Sequence, residues 1–323
     1  MAATTADSAG LSVVVPVYDS EASLSELVER LGRQLEATTP RFEVILVNDG
    51  SKDKSWDAIR LLSSQHKWVR GIDLMRNYGQ HNAIWCGIWS AKYPLIVTVD
   101  DDLQHPPEEI PKLLELLSQG YDVVYGFPEN EQHGFWRDLG SIITKLVLQN
   151  AMGAENARHV GAFRAFRRHI FDTLADYKDS YVNIDVLLTW VTNRFTYVRV
   201  RHEPRRFGTS SYTLRMLIRH VFNMMTGFSV LPLQLTSILG FAFTAFGLTL
   251  LIYVLSRYLI YGTLVPGFSF LASIVSIFSG AQLFALGIIG EYLARMHFRM
   301  MDRPPFAIRS MTNSKELPKD ETD

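Results

Sequence analysis

Three adjacent acids, Asp100-Asp101-Asp102, are followed by Leu103-Gln104-His105-Pro106-Pro107-Glu108. Neighbouring carboxylates repel one another, so such a run is costly without a cation among them. Hard oxygen donors of this kind suit Mg2+ or Mn2+, and either ion bridges a diphosphate. If strand alternation continued through the run, Asp100, Asp102 and Gln104 would point the same way. An acidic helix start would also be favoured by the helix dipole, but two carboxylates would be enough for that.

Two further clusters have polar side chains at apparent strand ends. Asn48-Asp49-Gly50-Ser51 follows a β-branched run. An aspartate there can accept hydrogen bonds from a ribose or a base edge, although the same four residues also make an ordinary turn. In Pro16-Val17-Tyr18-Asp19, the tyrosine can stack on a base or simply pack. Asn77 occupies the corresponding place after a third apolar run.

The elements needed to position these groups are readable from periodicity. Apolar runs at 12–17, 42–47, 69–74, 95–99 and 122–125 predict strands. Between them, residues 20–35, 53–64 and 83–91 predict helices, the first with Leu24, Leu27, Val28, Leu31 and Leu35 on one face. Near-continuous apolar strands alternating with helices predict an α/β fold, a mostly parallel sheet covered on both faces. Ligands in such folds sit at the carboxyl ends of the strands, where all three clusters fall. Further on, the pattern predicts helices at 135–150 and 184–191 and strands at 161–166 and 196–201.

The net charge of −1 gives no reason to expect a nucleic-acid partner. The single cysteine, Cys86, excludes an intramolecular disulfide framework and reads as a small core residue. Local patterns are more informative. Residues 231–256 and 258–290 carry no charge, and only Arg257 separates them. Each run is long enough to cross a bilayer core, which takes about 20 helical residues. Seven arginines lie between Arg194 and Arg219, against the single acid Glu203. More arginines follow Glu291. Basic flanks on both sides of the pair predict that both ends are cytoplasmic and that the 258–267 turn faces out. Residues 212–228 have the mixed pattern of an interfacial helix. The expected division is a catalytic domain at 1–211, an interfacial helix at 212–230, two transmembrane helices at 231–293 and a cytoplasmic tail at 294–323.

Taken in order, Pro-x-Tyr (16–18), Asn-Asp-Gly-Ser (48–51), Arg-Asn-Tyr-Gly-Gln-His (76–81), the aspartate triplet with Leu-Gln-x-Pro-Pro-Glu, Phe-Arg-Ala-Phe-Arg-Arg (163–168) and Gly-Glu-Tyr-Leu-Ala-Arg (290–295) resemble the family 2 glycosyltransferases. The nearest group is the polyprenyl-phosphate glycosyltransferases, and the resemblance spans residues 11–306. It implies a GT-A-like nucleotide-binding domain that transfers a sugar, with inversion, from a nucleotide diphosphate sugar, preferably a UDP-sugar, to a polyprenyl phosphate such as undecaprenyl phosphate. By position, Pro16, Tyr18, Asp19, Glu21, Asp49, Asn77 and Asp101 would hold the nucleotide. Asp100, Asp102 and Gln104 would hold the metal. Arg137, Arg164, Arg205, Arg206 and Ser210 would face phosphates, with Asp102, Arg164 and Arg205 at the chemistry. The resemblance also implies a membrane-bound homotetramer.

This chain departs from the family pattern at three places. Ser211 stands where a lysine is usual, Pro128 where an arginine is usual, and Ala162 where some bacterial relatives carry aspartate. A catalytically impaired binding protein is therefore a competing reading, opposed by the intact triplet. A processive polysaccharide synthase would carry Gln-x-x-Arg-Trp, which is not found. A dinucleotide-dependent oxidoreductase would need Gly-x-Gly-x-x-Gly after the first strand, where Pro16-Val17-Tyr18-Asp19 stands instead.

Overall fold

The structure, a computed structural model, describes residues 10–128, 159–177, 179, 182–204, 231–262 and 267–312. The chain divides into two units, Met1–Thr213 with Asp302–Asp323, and Leu214–Met301.

The first unit is built on one sheet. Its elements are β1 (Leu11–Val17), α1 (Glu21–Thr38), β2 (Phe42–Asn48), α2 (Ser55–Gln65), β3 (Val69–Leu74), α3 (Gln80–Ser90), β4 (Leu95–Thr98), α4 (Ile110–Ser118), β5 (Val123–Pro128), β6 (Arg164–Arg167), α5 (His169–Asp172), α6 (Ile184–Val191), β7 (Phe195–Val200) and β8 (Ile308–Met311). The strand order is β7-β5-β6-β4-β1-β2-β3-β8. β1 pairs in parallel with β2 and β4, β2 with β3, and β5 with β7. β6 runs antiparallel between β4 and β5, and β8 antiparallel beside β3.

Every residue of β1 is buried, as expected of a central strand covered on both faces. Leu24, Leu27, Val28, Leu31 and Leu35 of α1 pack with Val13, Val15, Val44 and Leu46 in the main core. The helical spacing of these leucines thus turns one face of α1 onto the sheet. Cys86 is buried and free, as its apolar surroundings implied.

The sequence pattern did not reveal β8. It comes after both apolar helices, yet it completes the edge of the sheet formed by the first half of the chain. Thr312 fixes its end: Gly71 N donates to Thr312 Oγ1 (2.7 Å), and Thr312 Oγ1 bonds Ser63 Oγ (2.9 Å).

The second unit contains α7 (Leu231–Tyr261) and α8 (Phe268–Met300). Both are long and apolar enough to cross a membrane: an 18-residue stretch within Pro232–Ile260 reaches mean hydropathy 2.3 and one within Ile277–Met300 reaches 1.4, and neither 18-residue stretch is buried within the chain. The rings of Phe243 and Phe278 meet edge to face at 5.7 Å between the two helices. α7 runs through Arg257 to Tyr261, and α8 continues past Glu291, so the helices overrun the uncharged stretches at those ends.

Candidate active site

Four neighbouring strands, β3-β2-β1-β4, end in loops that carry the candidate donor residues, and side chains stitch those loops together. From β1, Tyr18 N donates to Asp101 Oδ2 (3.1 Å) and Asp19 N to Ser51 Oγ (3.0 Å). Lys52 N donates to Asp19 Oδ1 (2.6 Å), and Glu21 N donates to Asp53 Oδ2 (3.1 Å). Asp19 sits at φ 50°, a left-handed turn that aspartate tolerates better than most residues. The Tyr18 side chain is 41% exposed, which leaves its ring open to a partner. Pro16 is buried in the strand, paired with Val47.

Asp49 organises the loop after β3. It accepts from Tyr78 N (2.6 Å) and Gly79 N (2.8 Å), one on each oxygen. Burial nevertheless pushes its pKa up to about 6, and the two amides only partly offset this. Gly50, at φ 67°, lets that loop approach: a Cβ there would lie 2.6 Å from Asn77 N. Asn77 itself is exposed beside this turn. Arg76 lies over the Tyr78 ring at 4.5 Å.

The aspartate triplet does not continue β4, which stops at Thr98. The chain turns, with Leu103 at φ 60°, so simple alternation does not orient the three acids. Asp101 reaches towards β1, Asp100 Oδ1 accepts from Gln80 Nε2 (2.6 Å), and Asp102 Oδ1 accepts from Gln104 N (3.1 Å). Burial, then Asp102 and Asp101, push Asp100 up to about 7, while Arg164 acts against this. Burial pushes Asp101 up to about 6, opposed by the Ser20 hydroxyl and Tyr18 N.

Among the described residues no three His, Cys, Asp or Glu groups gather closely enough to hold a metal by themselves. The donor chemistry still fits a hard divalent cation. Mg2+ characteristically takes one or two protein carboxylates and completes its shell with water and substrate phosphates. The crowded acids, with Asp100 ionising only near 7, are the property that such a cation would relieve.

Arg164 lies elsewhere than on a phosphate-facing surface. It is 1% exposed and buried against Asp185, with Nε donating to Thr98 Oγ1 (3.1 Å). Tyr125 Oη donates to the same Asp185 (3.0 Å). A buried guanidinium is held by such partners because leaving it unpaired would cost several kcal/mol on the order of 3–5. Its charge still reaches Asp100. Ala162, in the place of an aspartate, offers its carbonyl to Thr98 Oγ1 (2.6 Å).

Three residues of the site were not singled out from the sequence. Arg30 of α1 reaches Glu108 (3.1 and 2.8 Å) and Glu203 (3.1 Å), and Arg201 Nε reaches Glu109 (2.7 Å). With Glu203 N donating to Gln104 O (2.9 Å), these bonds tie the exit of β7 to the acidic turn. His105 stacks on Phe163 (5.4 Å) and meets His202 edge-on (5.1 Å). Its buried Nδ1 finds no partner among the described residues, and burial, then His202, lower its pKa to about 4. Gln104 Nε2 lies 3.4 Å from His202 Nε2. Charge-pair spacing across 78 and 173 residues leaves no local signal for Arg30. Arg137, Arg205, Arg206, Ser210 and Ser211 lie outside the described residues, as do the expected 135–150 and 212–228 helices.

Comparison with known proteins agrees with this architecture. Residues 12–175 match the family described as Glycosyl transferase family 2. An undecaprenyl-phosphate 4-deoxy-4-formamido-L-arabinose transferase of Aeromonas hydrophila is 36% identical over 311 residues, covering 95% of each chain. The protein of the same name from Pseudomonas syringae is 35% identical, over 94% of this chain and 91% of its own. Among solved structures, glucosyl-3-phosphoglycerate synthase from Mycobacterium tuberculosis, in complex with Mn2+, uridine diphosphate and phosphoglyceric acid, superposes with a TM-score of 0.51 at 14% identity, over 68% of this chain and 76% of that one. That likeness establishes the shared fold.

Proposed function

The chain belongs to glycosyl transferase family 2, in its polyprenyl-phosphate group, and on that premise we propose that this glycosyltransferase moves a sugar from a nucleoside diphosphate, with uridine preferred, to a polyprenyl phosphate such as undecaprenyl phosphate. The observation that carries the reading is the acids beyond the carboxyl ends of the adjacent strands β2, β1 and β4, in a chain that also holds two bilayer-length apolar helices.

In this reading Tyr18 offers its exposed ring to the base, and Asp19, Glu21, Asp49 and Asn77 shape the nucleoside end of the cleft around buried Pro16. Asp100, Asp102 and Gln104 would hold Mg2+ or Mn2+, which supplies positive charge to the diphosphate leaving group. Asp101 fixes the first loop against the triplet through Tyr18 N. Arg164 acts on the reaction through Asp100, whose charge it offsets from its buried site. Arg205, Arg206, Arg137 and Ser210 are assigned to the phosphates. The acceptor is a phosphate monoester with its second ionisation near 6. It needs no base to become a nucleophile, so an alanine at 162 is compatible with transfer. Positioning and leaving-group stabilisation then do the work, and direct displacement inverts the anomeric carbon.

Chain connectivity supports a membrane hairpin. The polypeptide leaves the sheet-bearing unit before α7 and rejoins its sheet at β8 after α8. An even number of crossings is needed for both ends to serve one folded domain. The basic flanks assign that side to the cytoplasm. A homotetramer is the assembly we assign by analogy.

The test is a panel of nucleotide sugars offered to purified protein in detergent, with and without undecaprenyl phosphate. Nucleoside diphosphate release should require the lipid phosphate and a divalent cation. Release that ignores the lipid, or survives excess chelator in full, overturns the reading.

A further inference from the structure

Arg309 lies on β8, beyond both apolar helices, and its guanidinium makes two different contacts, one on β3 and one just past its end. One amino group donates to Met75 O (2.7 Å), the carbonyl just before the Arg76–Gly79 loop. The other lies 3.5 Å from Asp73 Oδ2. Asp73 is 3% exposed, and its second oxygen accepts from Asn48 Nδ2 (2.7 Å). Asn48, equally buried, accepts from Ser51 N (3.3 Å) on its own oxygen. Ser51 Oγ in turn accepts from Asp19 N (3.0 Å). The line of bonds runs from β8 through β3 and β2 to the loop after β1. It touches each of the loops assigned to the nucleoside.

The β8–β3 register shifts between Asp73 and Leu74, at the carboxylate in question. Such irregularities re-aim side chains at functional edges. A plain edge-covering role for Arg309 would be served by any exposed charge on β8. It would not call for a guanidinium split between a buried carboxylate and the carbonyl that starts the donor loop.

We infer that Arg309 is a positioning residue for the donor: through Asp73 and Asn48 it sets the Asn48–Ser51 turn and, through Met75, the Arg76–Gly79 loop. The inference rests on the assignment of those loops to the nucleotide. On that assignment, the strand following the second apolar helix is part of the donor site. Asp73, buried between two donors, is the element that transmits the effect.

The experiment uses the full chain in detergent, with Arg309→Gln, Arg309→Lys and Thr312→Val compared with wild type. Thr312→Val loosens the docking of β8 at Gly71 and Ser63 without touching the relay. Binding of uridine diphosphate with Mn2+ is read by calorimetry, together with donor KM, acceptor KM and kcat. Arg309 is more than half exposed, so the expected loss for Arg309→Gln is modest, about three- to tenfold in nucleotide affinity and donor KM. Acceptor KM and kcat should stay within about twofold of wild type, a margin well under 1 kcal/mol. Arg309→Lys should recover part of the loss, and Thr312→Val should lower the melting temperature with donor KM unchanged. Equal nucleotide binding by wild type and Arg309→Gln overturns the relay alone. Equal donor defects in Arg309→Gln and Thr312→Val also overturn it, because docking of β8 would then suffice. A wild-type chain that binds neither uridine nor guanosine diphosphate overturns the donor-site assignment and the relay with it.

Discussion

At the amino end of the sheet, Glu43 is 3% exposed, and each of its oxygens has a dedicated donor. Ser12 Oγ (2.8 Å) and Lys92 N (2.6 Å) donate to one oxygen, and Arg70 Nη1 (2.9 Å) donates to the other. At the carboxyl end, Asp100 and Asp101 meet no described arginine or lysine within ion-pair distance, and the nearest buried cation, Arg164, is already paired with Asp185. Among the described residues the same sheet therefore closes its charge at one end and leaves acid in excess at the other. The closed end serves the fold, because its partners are all protein. In the proposed function the open end is where the cation and the diphosphate would sit.

The contrast can be broken from either side. The largest effect is expected at the closed end. Removing one partner of a buried, hydrogen-bonded pair costs about 3–5 kcal/mol, so Glu43→Gln should lower unfolding stability by an amount of that order. Activity per folded molecule should stay unchanged. A Glu43→Gln protein of normal stability and reduced turnover would reverse the roles of the two ends. Next comes Asp102→Ala at the open end. Loss of one group that stabilises developing charge typically costs on the order of 10²–10³-fold in rate, and transfer should fall by that much. Its melting temperature without metal should hold or rise, since one repelling carboxylate is gone. A variant that melts early and keeps its rate would make the triplet a structural feature.

The smallest effect sharpens the comparison through pH. A free aspartate ionises near 3.8, whereas Asp100 is pushed up to about 7 and Asp101 to about 6. Between those values the folded protein holds protons that the unfolded chain has released. Metal-free stability should therefore fall as pH rises from about 4 to about 7, and the full penalty should remain above 7. A divalent cation competes with those protons, so its stabilising effect should grow over the same window. Thermal melts at pH 5 and pH 8, with and without Mn2+, measure this. Equal stabilisation at both pH values would remove the acids from the cation's shell.

The open end was readable in the sequence because strand ends follow from apolar runs. Tyr18, Asp49, Asn77 and the triplet were placed there by period alone, and the structure bonds the loops that carry them to one another. What escaped was decided by contacts distant in sequence. The resemblance implies a phosphate-facing place for Arg164, but Asp185 and Thr98 supply a buried site for it that no local pattern signals. The aspartates do not alternate, because β4 stops at Thr98 and the chain is already turning where they stand. β8 is four residues, Ile-Arg-Ser-Met, too short for periodicity to show. Its pairing depends on an open edge made some 240 residues earlier, as the Gly71–Thr312 bond shows with its separation of 241.

That late strand also dictates an order of manufacture. Synthesis runs from the amino terminus, and domains fold as they emerge. β3 and its neighbours leave the ribosome well before β8, which follows both apolar helices. In the interval β3 presents a bare row of amide and carbonyl groups, the kind of edge that pairs promiscuously. A nascent chain whose apolar helices have not yet been synthesised cannot seat Arg309 or seal that edge, so completion of the sheet is postponed until both helices have been made.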